Sequence, residues 1–250
     1  MSDLRVEILK NRDELGRASA KEAARRLNQL IAEKGEATAV FAAAPSQNEF
    51  LACLAREDVD WTKVRALHQD EYIGLDPSHP AGFGNFLDRA IFKALPFKEI
   101  HYLSGPSTQE SLDRYNKLLT EHPVDIIFLG IGENGHLAFN DPAVADFEDP
   151  KRIKVVDLDD VCRQQQVNDG CFGAIGEVPK QALTLTMSQI LNTPQALAMV
   201  PGKLKANAVC RALTGDISTE CPASVLRRHP DAVLYLDADS ASLLKDKEGV

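Results

Sequence analysis

The chain has 250 residues, a formal charge of -9 at neutral pH and five cysteines. That length suffices for one large α/β domain whose core buries roughly 70–75% of the unfolded chain's surface, so neither disulfides nor metals are required for stability. The acidic balance excludes a protein that coats nucleic acid, while leaving room for a local cationic pocket.

Asp13 to Glu33 carries Leu15, Ala20, Ala23, Ala24, Leu27, Leu30 and Ile31 at three- and four-residue steps, which predicts an amphipathic helix stopped near Lys34-Gly35. Ala37 to Ala43 reads as a buried strand. Pro45-Ser46 sits where the next helix, through about Arg56, should begin, with Glu49 three residues beyond Ser46 as in a capping box. Val64 to His68 is a strand ending in Gln69-Asp70-Glu71-Tyr72. Helices are expected over about Phe83 to Ala94 and Thr108 to Glu121, with the short apolar piece Ile100 to Leu103 between them. Ile126 to Leu129 is apolar at every position, as in a parallel strand covered on both faces. Beyond it come a strand at Arg152 to Val156, a polar Gln- and Asp-rich segment, a helical segment at Pro179 to Leu191, and an apolar strand at Ala196 to Val200. After Pro201-Gly202-Lys203 a helix runs to about Leu213, followed by a short helix near Ala223 to Arg227 and a last strand at Ala232 to Leu236.

This alternation, with no repeat and no long linker, predicts a single domain over residues 1–250: an α/β fold with one doubly wound, mainly parallel sheet and helices on both faces. Cys53, Cys162, Cys171, Cys210 and Cys221 are odd in number, scattered and without a C-x-x-C pair, so they read as free thiols in a reducing compartment. No basic leader with an apolar h-region and no run of about 18 apolar residues is present, and a soluble, cytoplasmic protein with no membrane partner is expected.

The chemistry concentrates between Gly130 and Pro142. Gly130-x-Gly132-x-x-Gly135 satisfies the dinucleotide-binding spacing, but Asn140-Asp141-Pro142 interrupts any helix within about two turns of Gly132, and a nicotinamide or flavin site is rejected. The alternative is that the glycines let backbone amides approach a ligand while His136 and Asp141 form an acid/base pair. Taken alone, a loop histidine is more often structural, and Asp141 could simply turn the chain before Pro142.

The stretch Leu129-Gly130-Ile131-Gly132-Glu133-Asn134-Gly135-His136-Leu137-Ala138-Phe139-Asn140-Asp141-Pro142 resembles the active-site signature of glucosamine-6-phosphate deaminases, a sugar-phosphate isomerase family that also includes 6-phosphogluconolactonases. Asp70-Glu71-Tyr72-Ile73-Gly74-Leu75, Val178-Pro179-Lys180, Gly202-Lys203-Leu204-Lys205-Ala206 and Leu226-Arg227-x-His229-Pro230 extend the similarity over almost the whole chain. The resemblance implies aldose-ketose isomerisation of an amino sugar phosphate with release of ammonia. His136, oriented by Asp141 and Asn134, would open the sugar ring, and Asp70 would move a proton from carbon 2 to carbon 1. Gly132 and Gly135 would offer amides to sugar oxygens, and Glu71 would also contact the substrate. Lys205, Ala44, Ser46, Gln47 and Arg163 would hold the phosphate. Neither a metal nor an organic cofactor is implied, the partner is a small sugar phosphate, and a homo-oligomer is compatible with the chain.

Several positions depart from the family wording. The phosphate loop, usually rich in Gly and Thr/Ser, reads Phe41-Ala42-Ala43-Ala44-Pro45-Ser46-Gln47, which leaves backbone amides with Ser46 and Gln47 as donors. Asn134 takes a place usually held by Asp or Asn, and Asp141 is one methylene shorter than the glutamate of many members. Arg152-x-Lys154 is similar to an effector-site element of allosteric members, although two cations on a strand most often form a solvated face. A lactonase with His136 as general base and a non-catalytic sugar-phosphate sensor are the alternatives; the acidic charge and the lack of a helix-turn-helix extension disfavour the sensor.

Overall fold

A computed structural model describes residues 4–104 and 108–244. An edge strand, β1 (Arg5–Leu9), leads into α1 (Arg12–Lys34). The helix starts at Asn11, whose side chain accepts the Glu14 amide, and stops at Gly35, whose left-handed conformation returns its own amide to Ile31 O. β2 (Ala37–Phe41), α2 (Asn48–Leu54), β3 (Val64–His68), β4 (Asp70–Tyr72), α3 (Phe83–Leu87), β5 (Glu99–His101), α4 (Thr108–Glu121) and β6 (Ile126–Leu129) follow. The chain continues through β7 (Ile153–Asp157), α5 (Asp160–Asn168), β8 (Gln181–Leu185), α6 (Met187–Leu191), β9 (Gln195–Val200), α7 (Ala206–Thr214) and β10 (Ala232–Asp237).

Seven strands form one sheet in the order β1-β10-β9-β6-β2-β3-β5, and every neighbouring pair is parallel. Successive side chains of its central strands enter opposite layers. Ala39, Phe41, Ile126 and Phe128 pack with Leu15, Leu27 and Phe50 of α1 and α2. Val40, Ile127 and Leu129 pack with Tyr115, Leu118 and Val209 of α4 and α7. This two-sided cover is why the strands are apolar at every position, and the expected doubly wound sheet is present. After β2 the chain builds outward through β3 and β5, then returns to the other side of β2 with β6, so the order reverses between β2 and β6. Ligands of such sheets bind beyond the carboxyl ends of the strands at that reversal.

A second, antiparallel sheet, β4-β8-β7, overturns one expectation. Pro179 to Leu191 is not one helix: Gln181–Leu185 is the central strand of this small sheet, and only Met187–Leu191, capped by Thr186, is helical. Cross-strand pairing on both edges, Asp70 with Thr184 and Lys154 with Thr184, outweighs the local helical tendency of Ala and Leu. Smaller differences concern β1 and α5, which were not expected, and the stretch after Leu87, which continues as a π-helical turn over Asp88–Phe92. The expected helix near Ala223 is a 3-10 segment, Pro222–Arg228. Nor does Ser46 cap α2: a 3-10 turn, Pro45–Gln47, precedes the helix, and Glu49 is held by a two-point ion pair with Arg12 at 3.0 Å. Among the described residues all five cysteines are free thiols, and no helix is long and apolar enough to cross a membrane.

Candidate active site

Because β2, β3, β6 and β9 are parallel neighbours, the segments that follow them emerge on one edge of the sheet. They line a narrow cleft of about 50 Å³: Ala43, Ala44 and Ser46 after β2, Gln69 and Asp70 after β3, Gly130, Gly132 and His136 after β6, and Lys205 after β9. Phe83 and Ala138 contribute apolar wall, while Gln165 and Gln166 of α5 close the remaining side. Among the residues expected at the site, Asp70, His136, Lys205, Ala44, Ser46 and Gly132 are therefore brought together by the tertiary fold.

His136 Nδ1 lies 2.9 Å from Asp141 Oδ1, with both side chains buried. Asn134 ties the pair down, donating from Nδ2 to Asp141 Oδ1 at 2.9 Å and accepting the His136 amide on Oδ1 at 3.0 Å. Burial alone would raise the Asp141 pKa, but the His136 contact, with help from Asn134 and the Cys162 thiol, holds it below the ordinary carboxylate value. The carboxylate thus stays ionised and keeps the proton of His136 on Nδ1, leaving Nε2 for chemistry. The loop is anchored to β8: Phe139 N–H donates to Thr184 Oγ1, and Asn140 Nδ2 donates to Leu185 O at 2.8 Å. Immediately before them Ala138 adopts φ 52°, a left-handed conformation that costs a non-glycine residue roughly 1–2 kcal/mol.

The glycines do something other than expected. A Cβ on Gly132 would stand 2.2 Å from His136 Cε1 and 2.3 Å from Nε2, so the missing side chain makes room for the imidazole itself. Gly135 has φ +94° and faces the Cys221 thiol, away from the cleft. Their amides are engaged within the loop, Gly132 N–H with His136 O and Gly135 N–H with Gly132 O, and the Glu133 amide donates to Gln165 Oε1 at 2.8 Å. The expectation that Gly132 and Gly135 present amides to sugar oxygens is corrected accordingly: in this arrangement they shape the histidine's seat.

Asp70 opens β4, and its carbonyl accepts from His68 Nδ1 at 2.8 Å. His68 Nε2 accepts the Leu103 amide, so the Nδ1 proton assignment follows and the ring is neutral. Burial also lowers the His68 pKa, in keeping with that state. The Asp70 carboxyl is pushed well above the usual carboxylate range, first by burial and then by the nearby charge of Glu71, against a hydrogen bond from Gln69. Its Oδ1 has no hydrogen-bond partner. Lys205 is buried with no carboxylate in ion-pair contact among the described residues; burial lowers its pKa, and the more distant charges of Asp169 and Glu133 oppose that shift. A base held dry and an unpaired ammonium at one cleft describe a site that awaits an anionic ligand with an acidic proton.

Three expected substrate contacts lie elsewhere. Glu71 does not line the cleft: its carboxylate accepts the amides of Tyr72, Phe83 and Gly84, capping α3, beside a larger cavity of about 340 Å³. Gln47 is fully buried beneath the cleft floor and donates to Met199 O. Arg163 turns to Asp160 and to the carbonyls of Ile175 and Val178, stitching α5 to the segment before β8. Arg152 and Lys154 are also engaged, with Leu119 O and with Asp149 respectively. His68, Gln69, Gln165 and Cys162 were not singled out as site residues in the sequence. The run Arg163-Gln164-Gln165-Gln166 was noticed for its arginine, yet the glutamines at the third and fourth places face the cleft because α5 presents that side.

Together, the fold and this constellation define an acid/base site for an anionic small molecule at the switch point of a parallel α/β sheet. A model of the family glucosamine-6-phosphate isomerases/6-phosphogluconolactonase matches residues 10–235, and the chain belongs to that family. A glucosamine-6-phosphate deaminase of Streptococcus sanguinis (strain SK36) is 34% identical over 222 residues, 87% of this chain and 92% of that protein. One from Streptococcus pneumoniae (strain Hungary19A-6) is 32% identical with the same coverage. The solved structure of a monomeric glucosamine-6-phosphate deaminase superposes with a TM-score of 0.86 at 29% identity, covering 96% of this chain and 100% of that one. A 6-phosphogluconolactonase from Shewanella baltica OS155 shares the fold, with a TM-score of 0.78 at 18% identity over 95% of this chain and 99% of that one.

Proposed function

We propose that this chain converts an amino sugar phosphate, glucosamine-6-phosphate or its galactosamine epimer, into the ketose phosphate and ammonia. The observation that carries the reading is that a dry carboxyl, Asp70, and an imidazole oriented by a carboxylate, His136 with Asp141, line one cleft with the unpaired Lys205. The cyclic sugar binds with its phosphate toward Lys205 and Ser46. His136 Nε2 takes the proton of the anomeric hydroxyl and delivers one to the ring oxygen, opening the ring. The ammonium on carbon 2 brings positive charge toward Asp70, which favours its ionised form. Asp70 then takes the proton of carbon 2 and returns one to carbon 1. The enolamine formed when carbon 2 loses its proton is converted by that return to the 2-iminium ion, which water hydrolyses to the ketose phosphate and ammonia.

Ligand pockets usually enclose roughly 300–1,000 Å³, so admitting a hexose phosphate to a cleft of about 50 Å³ requires α5 to draw back and Gln165 to release the Glu133 amide. The Glu133 amide is then free for a sugar hydroxyl. We further propose residues 1–250 as one catalytic unit acting in the cytoplasm. Purified protein is incubated with glucosamine-6-phosphate and galactosamine-6-phosphate while ammonia and ketose phosphate are measured. Turnover of at least one is expected. If neither reacts and a 6-phosphogluconolactone is hydrolysed instead, the lactonase reading replaces this one.

A further inference from the structure

The thiol of Cys162 takes no part in the reaction above, yet it stands against the catalytic pair. It sits in the first turn of α5, buried, and one donor atom each from His136, Asp141 and Cys162 lies within 4.8 Å of the others. These are nitrogen, oxygen and sulfur donors drawn from two separate segments. A tetrahedral zinc-class ion, with bonds of about 2.0–2.3 Å, holds its ligands roughly 3.3–3.8 Å apart. Asp141 Oδ1 and His136 Nδ1 stand at 2.9 Å and no two of the donors are more than 4.8 Å apart, so shifts of about 1 Å bring the three to that spacing.

Two further observations point to a ligand. All three donors are buried, Asp141 and His136 with only 1% and 7% exposure, and Asp141 already meets both the imidazole, at 2.9 Å, and the Cys162 thiol, so the three groups converge on one point. The donor set is also selective: thiolate with imidazole suits zinc, cobalt and their neighbours and does not suit magnesium or calcium. A fourth ligand position would be filled by water.

We propose that His136, Asp141 and Cys162 form a binding site for one divalent transition ion of the zinc class, and that occupation of this site arrests the enzyme. On binding, the Cys162 S–H gives up its proton to solvent, the imidazole proton moves from Nδ1 to Nε2, and the sulfur, Nδ1 and carboxylate oxygen bind the ion; no electron is transferred. The imidazole then loses its link to Asp141 and cannot cycle a proton, and α5 is pinned to the catalytic loop through Cys162. The arrest rests on the role assigned to His136, whereas the binding does not.

The test uses the full chain and Co²⁺ as the probe. Titration should produce a near-ultraviolet thiolate-to-cobalt charge-transfer band that saturates at one ion per chain and is bleached by Zn²⁺. Cys162→Ser and Cys162→Ala should abolish the band, with folding checked by circular dichroism, while Cys53→Ser and Cys210→Ser keep it. Micromolar Zn²⁺ should lower deamination by roughly tenfold or more, reversibly on chelation, and much less in Cys162→Ala. The absence of a band, its survival in both Cys162 variants, or a band without inhibition of an active enzyme would overturn the proposal. A band in a protein that turns over no amino sugar phosphate keeps the site and sinks the catalytic reading instead.

Discussion

Replacing Gly132 by alanine isolates the seat of His136 from every other feature of the loop. The new Cβ would meet three ring atoms at 2.2, 2.3 and 2.4 Å. Carbon contacts settle near 3.5–4.0 Å, so the imidazole or the loop must yield by roughly 1 Å. Moving the ring breaks the 2.9 Å alignment with Asp141, and moving the backbone breaks the Gly132 N–H to His136 O bond at 3.0 Å. Misplacement on a 1 Å scale costs on the order of a hundredfold in rate, and overpacking of this kind costs about 1–3 kcal/mol in stability. Steady-state kinetics should therefore show kcat reduced about a hundredfold with a modestly lowered melting temperature. Gly176→Ala, where a Cβ meets nothing within 4 Å, is the control and should be silent. A kcat for Gly132→Ala within about threefold of the parent would refute the reasoning, because the imidazole would then not depend on that empty volume.

Asp70→Asn should reduce kcat at least a thousandfold or so, since the group that moves the carbon-bound proton is lost. The same change should raise the melting temperature at neutral pH. The folded pKa of Asp70 is raised, so the proton it retains stabilises the fold at low pH, and that contribution is lost as pH rises from the unfolded value through the folded one; asparagine has no proton to lose, and an unchanged or lower melting temperature would contradict this. Asp141 has the opposite sign: its folded pKa is depressed, so its contribution is present above the unfolded value and disappears as pH falls through the folded one. Asp141→Asn should accordingly flatten the acid limb of a melting-temperature profile and lower kcat by about a hundredfold or more. Lys205→Met keeps the apolar stem and removes the charge, so KM for the sugar phosphate should rise by roughly ten- to a hundredfold, the worth of a charge-assisted hydrogen bond, with kcat nearly intact; an unchanged KM would remove Lys205 from the phosphate site.

Much of this was legible in the residues themselves. The all-apolar runs at Ile126 to Leu129 and Ala196 to Val200 read as strands buried on both faces, the three- and four-residue spacing of Leu15 to Leu30 reads as an amphipathic helix, and these elements are present. His136, Asp141, Asn134, Asp70 and Lys205 were identifiable through the resemblance of their motifs to the family signature, since each taken alone has an ordinary structural reading. The small sheet was not legible: Pro179 to Leu191 has good helical composition, and what makes Gln181–Leu185 a strand is its pairing with β4 and β7, distant in sequence.

Local spacing by itself determined the parallel α/β framework, and the resemblance of one contiguous motif pointed to the acid/base loop, because helix periodicity, buried strands and a motif read within a few residues are short-range properties. Tertiary structure alone decided how the site is completed. Glu71 and Arg163 were drawn off to cap α3 and to staple α5, where backbone groups needed them. Gln165 and Cys162 entered because α5 happens to pack over the catalytic loop. The pairing of Asp70 with Thr184, whose hydroxyl also receives the Phe139 amide, placed the base beside the histidine loop. Such long-range contacts depend on where separate segments meet, and no local pattern encodes that.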